Sequence, residues 1–119
     1  MKKLAFQILL TFISFTVHSQ TFSATEAAQH EGETITVCGK VSGTHITKGD
    51  KKVIYINLDK PYPNNPFTIV IFEKSSENFD YNPLEFLKNK NICVSGKVSF
   101  YRDKPQIVAN KQSQILIQK

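Results

Sequence analysis

One phrase occurs twice in this chain. Residues 35–42 read ITVCGKVS and residues 92–99 read ICVSGKVS. Val37, Val41, Val94 and Val98 share one parity, with Gly39 and Gly96 between them. Apolar–polar alternation with period two is the pattern of a strand with one buried face. A glycine inside such a strand marks a bend, a bulge or a close backbone approach. Two long bent strands with shorter ones between them are what a small closed barrel needs at its corners. Each copy also carries a cysteine, Cys38 and Cys93, and these are the only two in the chain.

The first residues read as an export signal. Lys2 and Lys3 supply a positive start, Leu4 to Val17 an apolar run, and His18, Ser19 and Gln20 a small or polar exit. The run is too short for a spanning helix. Val17 and Ser19 suit positions −3 and −1 of a cut before Gln20, which divides the chain into a signal over 1–19 and one domain over 20–119. With no cysteine just past the apolar run, no lipid anchor is expected. The competing reading, a buried N-terminal helix, fits the double lysine poorly. Losing Lys2 and Lys3 lowers the formal charge from +5 to +3, a weak basic bias that by itself establishes no partner. Export, periplasmic or extracellular, places both cysteines where a disulfide persists, and two cysteines permit one intrachain pairing. The alternative is a pair of buried free thiols.

Along the remaining chain, Ser23 and Glu26 form a capping-box pattern that predicts a short helix over 23–30, ended by Gly32. Strands are expected over 33–42, 53–58, 67–72 and 91–100, with a fifth over 106–109 that resumes at 114–117. Lys48-Gly49-Asp50 marks a turn inside a polar loop over 43–52. In 53–58 the inward parity is Ile54, Ile56 and Leu58, which leaves Tyr55 and Asn57 facing out. FTIVIF at 67–72 is apolar on both parities. Residues 59–66 hold three prolines and form a stiff loop. Asn82, Pro83 and Glu85 start a second helix over 83–88, whose Leu84 and Leu87 face an apolar barrel end.

The order is β-β-β-α-β-β with a short leading helix. That is the topology of the all-β OB-fold, a five-stranded Greek-key barrel in which the first and fourth strands are antiparallel neighbours. On VCGKV at 37–41, INLDKPYPNNPFTIVIF at 56–72, NPLEFLKNKNICVSGKV at 82–98 and YRDKPQIVANKQSQI at 101–115, the chain resembles small secreted bacterial OB-fold domains. These are described as nucleic-acid-binding or tRNA-anticodon/helicase-type. The resemblance covers about residues 24–117 and implies the fold. Its nucleic-acid label belongs to the superfold, which hosts many functions.

Antiparallel neighbourhood puts Cys38 and Cys93 on one parity of adjacent strands, within reach of a disulfide. Barrels of this type take ligands on the face of their second and third strands, between the loops that join strands one–two and four–five. The first of those loops holds His45, Lys48, Lys51 and Lys52, and the second holds Phe100, Tyr101, Arg102 and Lys104. Tyr55 and Asn57 lie between them. Rings stack on bases and cations track phosphates, so the expected activity is non-catalytic, low-specificity binding of single-stranded nucleic acid, DNA foremost. Set against this, hairpin tips are charged simply because they are exposed, and Asp50 and Asp103 dilute both patches. Other classes remain open: a small anionic ligand or saccharide in an envelope-stress module, or a partner protein. Tyr62 and Phe67 form a candidate recognition ledge, although a stiff proline loop also serves to seat a barrel end. No zinc spacing, Ser-His-Asp set, phosphate loop or calcium loop is present, so no cofactor, metal or enzymatic activity is expected.

Overall fold

Strand forms wherever the period-two pattern runs. A computed structural model describes residues 20–119. Its strands are β1 (Thr21–Ser23), β2 (Thr34–Ile46), β3 (Val53–Leu58), β4 (Phe67–Phe72), β5 (Asn91–Tyr101), β6 (Lys104–Val108) and β7 (Ile115–Ile117). Two one-turn helices, α1 (Glu73–Ser76) and α2 (Pro83–Phe86), lie between β4 and β5. The protein is thus mostly β, with seven strands in one sheet ordered β1-β2-β3-β4-β6-β5-β7. In addition β2 pairs with β5. The expected signal over 1–19 lies outside the described residues. Among the described residues no helix is long and apolar enough to cross a membrane.

The two copies of the repeated phrase lie side by side. β2 and β5 run antiparallel, with Val37 opposite Val94, Cys38 opposite Cys93, Gly39 opposite Ile92 and Gly96 opposite Ile35. Each inward glycine thus faces an isoleucine, so large and small side chains alternate along the seam. The opposite parity faces out, and there Cys38 and Cys93 form a disulfide with Cα atoms 4.0 Å apart. Beside it the Thr36 and Ser95 hydroxyls share a 2.7 Å hydrogen bond. β1 and β7 flank this pair, bringing Ser23 next to Cys38 and Leu116 next to Cys93.

The core lies within the curve of the sheet. Val37, Val41, Ile54, Ile56, Leu58, Phe67, Ile69, Ile71, Ile92, Val94, Val98 and Ile107 fill it. Leu87 follows α2 and closes one end, with Leu84 packed against the same cluster. Asn82 caps α2 as expected, accepting from the Leu84 N–H at 3.0 Å, with Pro83 in the first turn. The helix stops at Phe86, two residues short of the expected 88.

Several expectations need correction. The leading helix over 23–30 is only one 3-10 turn, Ala27–His30, preceded by β1. Glu26 does reach back, accepting from the Ser23 hydroxyl at 2.7 Å and the Ser23 N–H at 3.1 Å. These bonds satisfy a turn without extending it. Residues 115–117 do not continue the fifth strand, because β7 pairs with β5 by a register of its own. The loop expected over 43–52 is shorter, since β2 continues to Ile46. β4 is covered on both sides from Phe67 to Ile71, which explains its unbroken apolar run. Phe67 is fully buried and forms no ledge.

Tyr81 is an anomaly in this interior. Its ring meets Phe79 edge-on at 5.6 Å and Phe86 at 4.4 Å, and among the described residues its buried hydroxyl has no partner. Burial pushes its pKa up from 10.0, because the phenolate loses more hydration than the phenol. A raised folded-state pKa means full stability below the ordinary value and a loss as pH rises through the folded one. Tyr81→Phe removes an unsatisfied group and breaks no bond. It is expected to leave stability unchanged or raise it by about 1 kcal/mol at pH 7. It should also blunt the alkaline loss above pH 10. Urea denaturation at neutral and alkaline pH checks both; a clear loss at pH 7 would show that the hydroxyl has a partner after all.

Candidate nucleic-acid interface

Inward packing of Ile54, Ile56 and Leu58 turns the other parity of β3 outward, and pairing extends that face across β4 and β6. Register sets its rows. His45, Tyr55, Val70 and Val108 form one, and Gly43, Asn57, Thr68, Gln106 and Ser99 the next. Beyond them Lys104 faces Tyr101 across the β5–β6 hairpin.

His45 reaches this face because of one extra residue. Val41 pairs with Leu58 while Gly43 pairs with Asn57, so Ser42 bulges out of the ladder. A bulge of one residue inverts the parity that follows it. Val41 therefore points inward, Ile46 packs against the same core, and His45 between them points outward. Its ring lies 6.4 Å from that of Tyr55 with 9° between the planes. The irregularity in β2 is thus at Ser42, and Gly39 instead allows a close approach. Its missing Cβ leaves room for the Asp59 carboxylate, which accepts from the Lys40 N–H at 3.1 Å.

Past Ile46 the chain turns through residues 47–52. The Thr47 hydroxyl accepts from the Val53 N–H at 2.9 Å and closes the turn. Lys48, Lys51 and Lys52 project from it, exposed. Among the described residues none of these three lysines has a carboxylate within ion-pairing distance, although Asp50 shares their turn.

At the other end of the face, Arg102 and Asp103 have φ of 50° and 62°. Two successive left-handed residues between paired strands make a two-residue hairpin turn whose twist matches the sheet. Tyr101 is 52% exposed, and the Arg102 guanidinium lies 5.3 Å from its ring centroid.

Two of the residues expected at the site do other work. Asn57 is on the outward parity but only 5% exposed, because the proline loop folds over it. Asn65 Nδ2 donates to Asn57 Oδ1 at 3.0 Å, Thr68 Oγ1 at 2.8 Å and the Phe67 carbonyl at 3.1 Å. Lys104 Nζ donates to Asn65 Oδ1 at 2.7 Å and the Pro63 carbonyl at 2.9 Å, and is half-buried. Asn57 and Lys104 therefore anchor the 59–66 loop to the sheet. Buried amides are paired, and both the oxygen and the nitrogen of Asn65 have partners. The signal for it was the Asn64-Asn65-Pro66 run, whose partners lie on three different strands or loops.

The structure brings the expected residues together in two groups. Lys48, Lys51, Lys52 and Tyr55 sit with His45 at one end of β3, and Tyr101, Arg102 and Lys104 at the other. Tyr62, 76% exposed, belongs to the second group, with Lys104 Nζ 5.5 Å from its ring centroid. A groove of 480 Å³ beside β7, lined by Asp80, Tyr81 and Leu116 among others, is remote from both.

No protein-family model matches the chain, and a search of curated proteins finds no match. Among solved structures, one of a provisionally assigned aspartyl-tRNA synthetase from Leishmania major Friedlin is similar, with a TM-score of 0.45 at 11% identity. The similarity covers 90% of this chain and 22% of that one, so this chain corresponds to less than a quarter of the other's length.

Proposed function

We propose that this chain is an exported OB-type barrel that binds single-stranded nucleic acid without catalysis. The β2–β3, β3–β4, β4–β6, β6–β5 and β5–β2 pairings support the barrel reading, since each of these five strands has two of the others as neighbours. The Cys38–Cys93 disulfide supports a compartment outside the reducing cytoplasm. The observation that carries the function is the outward His45–Tyr55 pair beside three exposed lysines, none of them ion-paired among the described residues. His45 is exposed and Tyr55 half-buried; outward rings offer stacking surfaces to unpaired bases, and cations offer sites to the phosphates between them.

Fluorescence anisotropy with a labelled single strand at two salt concentrations tests this. Replacing Lys48, Lys51 and Lys52 together with Ala is expected to weaken low-salt binding about tenfold and to flatten the salt slope by about 0.7 for each phosphate no longer neutralised. Tyr55→Ala should cost about 1–3 kcal/mol with the slope nearly intact. Lys104 is a poor probe of charge, because its loss also frees the proline loop. Binding that ignores both salt and the lysine changes would point to a saccharide or protein ligand. Absence of binding at low salt would sink the reading.

A further inference from the structure

Tyr62 lies outside every strand, yet it is fixed at one end of the outward face. Its ring is 76% exposed and so contributes little to packing. Its loop nevertheless has a built foundation in Asn65, 2% exposed, with hydrogen bonds to Asn57, Thr68 and Lys104. Lys104 sits against the Tyr62 ring and is also the register partner of Tyr101, which carries Arg102 against its own ring. Two exposed tyrosines and two cations thus gather at one end of the face, over a hydrogen-bonded support.

This cluster is separate from the His45–Tyr55 pair. From Tyr55 to Tyr101 the face steps two rows along the strands and three strand spacings across. Followed along the curved face, these steps amount to roughly 13 Å and 14 Å, a path of about 19 Å. A mononucleotide reaches only one aromatic group. A duplex keeps its bases stacked on each other and offers neither group a free ring face.

Resting on the nucleic-acid reading above, the geometry points to an extended single strand of at least about four nucleotides as the ligand, with Tyr62 and Tyr101 holding bases at one end and Tyr55 at the other. Two stations joined by one flexible chain act multivalently, so engaging the second raises affinity without any change at the first.

The test is a length series of labelled oligothymidylates of two, four, six and eight nucleotides, titrated at low salt. Affinity is expected to rise at least tenfold between the dinucleotide and the longer strands and then level off. In Tyr62→Ala the ratio of octamer to dinucleotide affinity is expected to fall about tenfold. Its thermal midpoint should match the parent's, because the side chain is exposed, and this separates lost binding from lost folding. Measurable binding with no step in length, or a step that survives Tyr62→Ala, overturns the two-station inference and leaves the single-strand reading standing. No binding at any length overturns both.

Discussion

Gly96→Val is expected to cost about 3 kcal/mol or more, enough to unfold a large share of a domain this size at physiological temperature. A Cβ built at position 96 falls 2.6 Å from Ile107 Cγ2 and 3.3 Å from Gln114 Nε2. Ile107 is fully buried on β6, between β4 and β5, and its branched side chain is stiff at χ1. Gln114 is tied to the Ser95 carbonyl at 3.0 Å. Neither neighbour moves without breaking something else. Gly39→Val is the control. A Cβ there meets Asp59 Oδ1 at 2.7 Å and Leu58 Cβ at 3.3 Å. The carboxylate is the exposed end of a side chain and swings away, losing one bond to Lys40. The expected cost is about 1–2 kcal/mol. Urea titrations of the two variants check the order; equal small losses, or a worse Gly39 variant, would show that the packing against Ile107 is not what demands glycine at 96.

Reduction of the disulfide is the second large effect. Cys38 and Cys93 are separated by 55 residues, and a link closing a loop of that size removes about 4 kcal/mol worth of unfolded-state entropy. For a domain of this length that corresponds to a fall in thermal midpoint of about 15 °C or more. The folded state should change little. The two cysteines are direct partners in a ladder that also pairs Val37 with Val94 and Thr36 with Ser95, and those pairings do not need the bond. Circular dichroism melts with and without reductant, alongside a Cys38→Ser/Cys93→Ser variant, measure this. A reduced protein that melts within a degree or two of the oxidised one would mean that the unfolded chain is already compact enough to make the link redundant. Alkylation of the non-reduced protein should label neither cysteine.

Much of the fold was legible because it rests on local, repeating signals. Period two located β2, β3 and β5, an unbroken apolar run located β4, and the inward set Ile54, Ile56 and Leu58 followed directly. Asn82-Pro83 announced α2 through residues that act on their own turn. Short elements were harder. The capping pattern at Ser23 and Glu26 marked a turn correctly but overstated its length, since a cap starts a helix and only packing or propensity prolongs it. β1 and β7 have three residues each and carry no period worth reading; the sheet edges beside them, not their own sequences, make them strands.

The candidate site was half legible for a related reason. Residue type indicated Lys48, Lys51, Lys52, Tyr101 and Arg102, because long cations and tyrosine in tight loops have few places to go but outward. Parity alone misjudged Asn57, which faces out and is then covered by a loop arriving from its own hairpin. His45 was expected in the loop that walls this face, whereas it lies on β2, and its outward direction depends on the bulge at Ser42.

By itself, then, the sequence determined where the longer strands lie, which face of β2, β3 and β5 is apolar and that two cysteines sit at matching places in two similar strands. These are properties of neighbours along the chain. Tertiary structure alone decided that those strands pair in the register that joins Cys38 to Cys93, that Lys104 anchors a loop instead of standing free, and that Tyr62 and Tyr101 share one end of the face. Each of these depends on residues far apart in sequence meeting in space, and such meetings are set by how the whole sheet curves over its core.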